Sequence, residues 1–337
     1  MGNNQSMNSI EIVFLNFNTD RRLFSPLYEP WNYYRPENRI PDISKKIIEL
    51  LKCNIIVILC EITQDVQEKF VKLVLENNKF QHVSGGYNLS MFAYKFSVFM
   101  PETVEINNVS NFAFTNEGMI ENIKHYEFQF IPDNVRPKDD KTRKETKWYM
   151  DITQDELFEK GALCIQFKFR DNEFYLVTTH LGLRNASRIK QTKKLLKWIN
   201  YNIPKDSKII IVGDFNSFDE VNDGTYMEQM NLMSDYMNLL DFSISTFKPY
   251  PYDINFLFKN EEDKILYNKI ITDAKTNKIT PEMIETFKNL CSTAELKPQK
   301  PATLDNIFIS GFQKNEHVCS IHPNSSDHYA LYSKIML

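Results

Sequence analysis

The chain has 337 residues, 42% of them hydrophobic and 25% charged, with a formal net charge of −4. That length and apolar fraction suit one long domain with a substantial core, and the weak acidity excludes a strongly basic DNA-wrapping surface while leaving room for a local basic face. The 5 cysteines, at positions 53, 60, 164, 291 and 319, are odd in number and scattered, which excludes a disulfide framework and points to reduced thiols in an intracellular protein, in the cytoplasm or nucleus.

Residues 1–8 read as a polar tail and 9–337 as a single domain. The opening Met1-Gly2-Asn3-Asn4-Gln5-Ser6 matches the N-myristoylation pattern with Gly2 as acceptor, although a plain disordered tail has the same wording. One acyl chain would give only weak, reversible membrane association. There is no secretory apolar region at the start and no run of roughly eighteen apolar residues anywhere, so neither a signal peptide nor a transmembrane span is expected.

Ile12-Val13-Phe14-Leu15 reads as a strand ending at Asn16, with Asn18 and Asp20 close behind. Residues 40–51 have helical spacing with Asp42 as the expected N-cap, and they lead into the apolar run Asn54–Cys60, which exits at Glu61. An amphipathic helix over 63–76 follows, then a strand ending at Tyr94-Lys95. Residues 132–150, with Arg136, Lys138, Lys141, Arg143, Lys144 and Lys147 among prolines and acidic residues, read as an exposed basic insertion: a solvated loop or a phosphate-tracking segment. The run Phe174–Thr179 exits at His180, a helix is expected over 187–199, and Lys208–Val212 exits at Gly213-Asp214-Phe215-Asn216. Further helices are expected near 227–238, 261–274 and 281–290. Leu304-Asp305-Asn306-Ile307-Phe308 then reads as a strand, and Ser326-Asp327-His328-Tyr329 stands near the end.

Short apolar runs read as strands buried on both faces, and a polar group at the exit of such a strand reads as a functional group at the sheet rim. Any one of them has a bland reading: a strand-end carboxylate for Glu61, a hydrogen-bonded core imidazole for His180, a turn for Gly-Asp-Phe-Asn. Together they offer carboxylates, imidazoles and amides at one rim, which is what metal-assisted attack on phosphorus needs.

The order and wording of these motifs resemble the endonuclease/exonuclease/phosphatase superfamily over nearly the whole chain, from Asn16 to His328. Cys60-Glu61 stands where that family usually writes Gln-Glu, Gly213–Asn216 matches without change, and Ser326–Tyr329 agrees with the closing motif of its DNase I-like form. The resemblance implies a four-layer α/β/β/α sandwich of two packed mixed sheets flanked by helices, and a phosphodiester hydrolase dependent on magnesium, with manganese as the other cation that would serve. It implies Asn16 and Glu61 as metal ligands. Asp327 would be either a second metal position or a structural partner. Asp214 would activate or orient the attacking water with Asn216 fixing geometry, His328 would contact the phosphate with Asp305 holding its ring, and His180 would be a donor or general acid. Arg188, with Gln191 on the same helix, and Asn88 are placed at the substrate. Asn88 is a departure, because the DNase I branch has a glutamate there, paired with the histidine. A neutral partner raises a histidine's pKa less than a carboxylate does, so the DNase I acid mechanism is not carried over to His180.

The substrate implied first is nucleic acid, DNA or RNA. Lys160-Gly161-Ala162-Leu163 resembles wording in inositol-phosphate phosphatase and sphingomyelinase branches as well as in nucleases, so a lipid or inositol-phosphate phosphoesterase stays open, as does an inactive binding module on the same fold.

Overall fold

A computed structural model describes residues 9–17, 36–85, 95–114, 119–121, 160–182, 185–216, 225–235, 238–239, 256–258, 260–275, 280–293, 295–296, 304–312, 317–321, 328 and 330–337. Gly2, Asn88, Asp327 and the basic segment at 132–150 lie outside them.

Strand β1 (Ser9–Asn16) begins a six-stranded mixed sheet, pairing parallel with β2 (Ile55–Ile62) and antiparallel with β15 (Ala330–Met336). With β3 (Gln81–Gly85), β4 (Lys95–Met100) and β14 (His317–Ile321), the order is β14-β15-β1-β2-β4-β3. A second sheet has seven strands in the order β10-β13-β9-β8-β7-β5-β6. Its members are β5 (Val104–Phe114), β6 (Met119–Glu121), β7 (Gly161–Phe169), β8 (Asn172–His180), β9 (Lys208–Asp214), β10 (Asn238–Leu239) and β13 (Asp305–Ser310). The short strands β11 (Phe256–Leu257) and β12 (Glu295–Leu296) pair apart from both.

The layering follows from the two-residue alternation of strand side chains. Ile10, Ile12 and Phe14 of β1 and Ile56 and Ile58 of β2 meet Leu163, Ile165, Leu176, Ile210, Val212 and Ile307 of the other sheet in one buried core. The alternate residues Val13, Leu15, Val57 and Leu59 pack instead with α1 (Pro36–Lys52) and α2 (Gln64–Leu75). Val177, Ile209 and Ile211 of the second sheet pack with α3 (Asn185–Asn202) and α4 (Thr225–Ser234). Two mixed sheets lie face to face with helices outside, the four-layer sandwich expected. Helices α5 (Glu261–Lys275) and α6 (Pro281–Thr293) complete the described elements. Among the described residues, no helix is long and apolar enough to cross a membrane.

The first helix corrects one expectation. It starts at Pro36 rather than near Ile40, so Asp42 lies inside it and is not its N-cap, even though Pro41 falls within the helix. The extra turn places Arg39, fully buried, over the Phe17 ring at 3.9 Å, with Nη1 donating to Phe17 O at 2.6 Å. That tertiary contact, which holds the exit of β1, outweighs the local proline signal.

At the other edge of the first sheet, His82 packs on Phe99 and shares a hydrogen bond with Ser97 Oγ (2.8 Å), which also accepts from Gln67 Nε2 (2.9 Å). Burial pushes the His82 pKa down from 6.5 to about 4. The unfolded chain therefore takes up a proton below pH 6.5 that the folded chain refuses until about pH 4. Stability is full above pH 6.5 and falls through that window by at most about 3 kcal/mol from this residue. Urea unfolding at pH 7.5 and pH 4.5 tests this: the drop should shrink in His82→Gln, and an unchanged drop would remove the assignment.

Candidate active site

Strand parity brings the polar exits together. Asn16 continues the inward series Ile12, Phe14; His180 continues Phe174, Leu176; Asp214 continues Ile210, Val212; Asp305 begins Ile307, Ile309. Register finishes the alignment, since β8 and β9 run parallel with His180 opposite Asp214, and β13 runs antiparallel with Asp305 opposite Asp214. All four groups thus arrive at one end of the sandwich, between the sheets.

Glu61 has the wrong parity, because Ile58 and Cys60 already face inward. The pairing of β2 with β4 shifts register between Leu59 and Ile62, and Glu61 takes a left-handed backbone with φ of 55°. A bulge of this kind re-aims a side chain, and a non-glycine residue held there stores strain of about 1–3 kcal/mol. Its carboxylate Oε1 lies 3.3 Å from His180 Nε2, which is 3.5 Å from Asp214 Oδ2.

Asp214 is 2% exposed and held from two sides. Asn16 Nδ2 donates to Oδ2 at 2.9 Å, and the backbone N–H of Asn216 donates to Oδ1 at 2.8 Å. Asn216, with φ of 48°, spends its own amide on Leu181 O (2.8 Å), while Leu181 N donates to Asp214 O (2.9 Å). His328 Nδ1 lies 2.7 Å from Asp305 Oδ2, so the carboxylate orients that ring and leaves Nε2 for another partner. Arg188 is buried at 2% exposure in the first turn of α3, and its neighbour Gln191 accepts from Gly182 N at 2.8 Å, just past His180.

The charges crowd. Burial first, then the neighbouring Asp305 carboxylate, pushes Asp214 from 3.8 up to about 8, and Glu61 adds to this. Burial, then Lys160 and His328, holds His180 well below its ordinary value, so its contacts with Glu61 and Asp214 are those of a neutral ring. Burial, then Glu61 and Asp214, raises the Cys60 thiol. Among the described residues, Glu61, His180 and Asp214 form one group whose ligand atoms lie within 4.8 Å of one another, and Asp214, Asp305 and His328 form a second. Buried carboxylates that repel one another and depend on added positive charge to ionise suit a hard divalent cation.

Lys160, read in the sequence only as part of the Lys160–Leu163 wording and given no place at the site, joins the candidate site in the structure. It precedes β7, whose Gly161 pairs with His180, and its Nζ lies 2.7 Å from His180 Nε2. Hairpin register puts Gly161, not Lys160, opposite His180, and Lys160 stands one residue outside the ladder on the parity of the outward-facing Ala162 and Cys164, so strand alternation does not announce it.

No family model matches the sequence, and no curated protein does. Solved structures do. TDP2 of D. rerio, complexed with single strand DNA product, superimposes with a TM-score of 0.52 and 14% identity, covering 98% of this chain and 99% of that one. An endonuclease/exonuclease/phosphatase family protein from Bacteroides thetaiotaomicron gives 0.54 and 11%, covering 98% of each chain. A mannosyl-6-phosphatase from Bacteroides thetaiotaomicron VPI-5482 gives 0.54 and 12%, covering 98% of this chain and 100% of that one. At such identities the shared property is the layered backbone, and in each case it extends over almost the whole of both chains: this protein has the DNase I-like fold of the endonuclease/exonuclease/phosphatase proteins.

Proposed function

We propose that this protein is a magnesium-dependent phosphodiester hydrolase, a nuclease acting on DNA or RNA. The observation that carries the reading is the convergence of Glu61, His180 and Asp214 with Asp305 and His328 through the shared Asp214 carboxylate. Asn16 and Glu61 would hold the cation, with Asp327 as a further ligand, and manganese would serve in its place. When bound, the cation supplies charge neutralisation at a phosphoryl oxygen. Asp214, fixed by two donated hydrogen bonds, orients the attacking water and takes its proton once positive charge in the site restores the carboxylate form. Asn216 only positions, since an amide takes no proton. His328, its ring held by Asp305, donates to the phosphate, and His180 faces the same space as a second donor.

Nucleic acid as the substrate is supported by the similar TDP2 fold, solved with a single strand DNA product, and by the basic segment Arg136–Lys147. A second reading, hydrolysis of an inositol, lipid or other small phosphate ester, is supported by the Lys160-Gly161-Ala162-Leu163 wording and by the similar fold of a mannosyl-6-phosphatase. Turnover of single- and double-stranded DNA, RNA, sphingomyelin and inositol phosphates with magnesium, wild type against His328→Ala, decides between them. Nucleic-acid cleavage that the variant loses by about 10²-fold or more is expected. Turnover of the lipid or inositol esters alone would replace the substrate and keep the site, and metal binding without any turnover would make the protein a binding module.

A further inference from the structure

Lys160 is 9% exposed, and no carboxylate among the described residues lies within ion-pair distance of its ammonium. A buried cation is costly unless an anion faces it. Here its hydrogen-bonding partner is an imidazole: Nζ lies 2.7 Å from His180 Nε2 and 3.5 Å from Nδ1. That contact also crowds the ring: to accept from Lys160, Nε2 presents a lone pair, and Glu61 Oε1 at 3.3 Å and Asp214 Oδ2 at 3.5 Å stand beside the same nitrogen. The Lys160 backbone adjoins the β7–β8 ladder, where Gly161 pairs with His180 and Thr179 Oγ1 donates to Gly161 O at 2.9 Å.

We propose that Lys160 is a substrate-contacting residue whose ammonium takes an anionic, non-bridging phosphoryl oxygen, an assignment that rests on the phosphoesterase reading. With the anion in place, the buried ammonium has an anionic partner, and Lys160 leaves His180 Nε2 to Glu61 and Asp214. The carboxylates and the cation then play opposite parts, Glu61 and Asp214 on the metal and water side, Lys160 on the phosphate side. A compact ammonium gives charge without demanding a planar fork, so it tolerates a diester or a terminal phosphate alike.

Wild type, Lys160→Gln and Lys160→Arg are compared in two measurements with magnesium: hydrolysis of bis(p-nitrophenyl) phosphate, and calorimetric titration with inorganic phosphate. Lys160→Gln is expected to lose about 10²- to 10³-fold in kcat/KM and at least about tenfold in phosphate affinity, with Lys160→Arg recovering part of both. Lys160→Met, which keeps the apolar stem, replaces Lys160→Gln if the latter does not fold. Values within twofold of wild type in both measurements overturn the proposal. A fall in kcat/KM with unchanged phosphate affinity also overturns it, since the lysine would then act only through His180. If wild type hydrolyses no ester while Lys160→Gln still loses phosphate affinity, the phosphoesterase reading fails and the anion contact stands.

Discussion

Replacing Asp214 with asparagine is expected to lower kcat by about 10³- to 10⁴-fold while making the metal-free protein more resistant to heat at alkaline pH. The two effects have one source. Asp214 is buried beside Asp305 and Glu61, and its pKa rises from 3.8 to about 8. The folded chain therefore holds a proton that the unfolded chain releases. The resulting stability is fully present below pH 3.8 and is lost as pH rises through about 8. A move of that size is on the order of 5 kcal/mol. Asparagine is neutral at every pH and escapes the loss. Against this stands one hydrogen bond, since the substituted amide can accept from Asn16 or from the Asn216 N–H but not from both, and that costs about 1–3 kcal/mol. The charge effect wins above pH 8 and loses near pH 4. Thermal unfolding without metal at pH 5 and pH 8.5 should show the variant gaining on wild type at the higher value, and magnesium should raise the wild-type midpoint more than the variant's. A variant that melts below wild type at pH 8.5 without metal would mean that Asp214 is not under this strain.

Much of this candidate site can be read from residue order because most of its groups sit at the ends of buried strands. The runs 55–60, 174–179 and 209–212 are mostly apolar on both faces, so their pattern identifies a central strand, and the residue after each run emerges toward a rim. Parity then sends Asn16, His180, Asp214 and Asp305 inward without reference to any distant residue. Glu61 is different, since the alternation that serves the other four aims it at the helix layer. Only the bulge and the positive φ bring it to His180, and nothing in Cys60-Glu61-Ile62 announces either. Lys160 is hidden for another reason, because its significance lies in the pairing of Gly161 with His180, nineteen positions along the chain. Arg39 is of the same kind: a charged residue ahead of an expected helix start looks solvated until Phe17 is placed beneath it. Local signals set the strands, and long-range register sets which side chains meet.

Gly213→Ala is the substitution expected to damage stability most for the fewest atoms. A Cβ at Gly213 would stand 2.0 Å from Thr179 O, 2.8 Å from Thr179 C and 2.9 Å from Thr179 N. These are backbone atoms of the paired strand, so no side chain can swing aside to make room. The glycine is needed here for close approach. Relief requires β9 to move off β8, which breaks the ladder between Thr179 and Gly213 and disturbs the Leu181 N–H contact with Asp214 O. A loss of at least about 3 kcal/mol is expected, at the upper end of what overpacking costs in a well-packed interior. Turnover should fall as well, even where the variant remains folded, because the shift displaces Asp214 from His180 and a misplacement of about 1 Å can cost on the order of 10²-fold. Chemical denaturation read beside kcat below the unfolding midpoint separates the two losses. An alanine variant with wild-type stability and turnover would show that the strands can part at Gly213 without moving Asp214, and the rim would then owe its alignment to β13 and the Asp305 pairing instead.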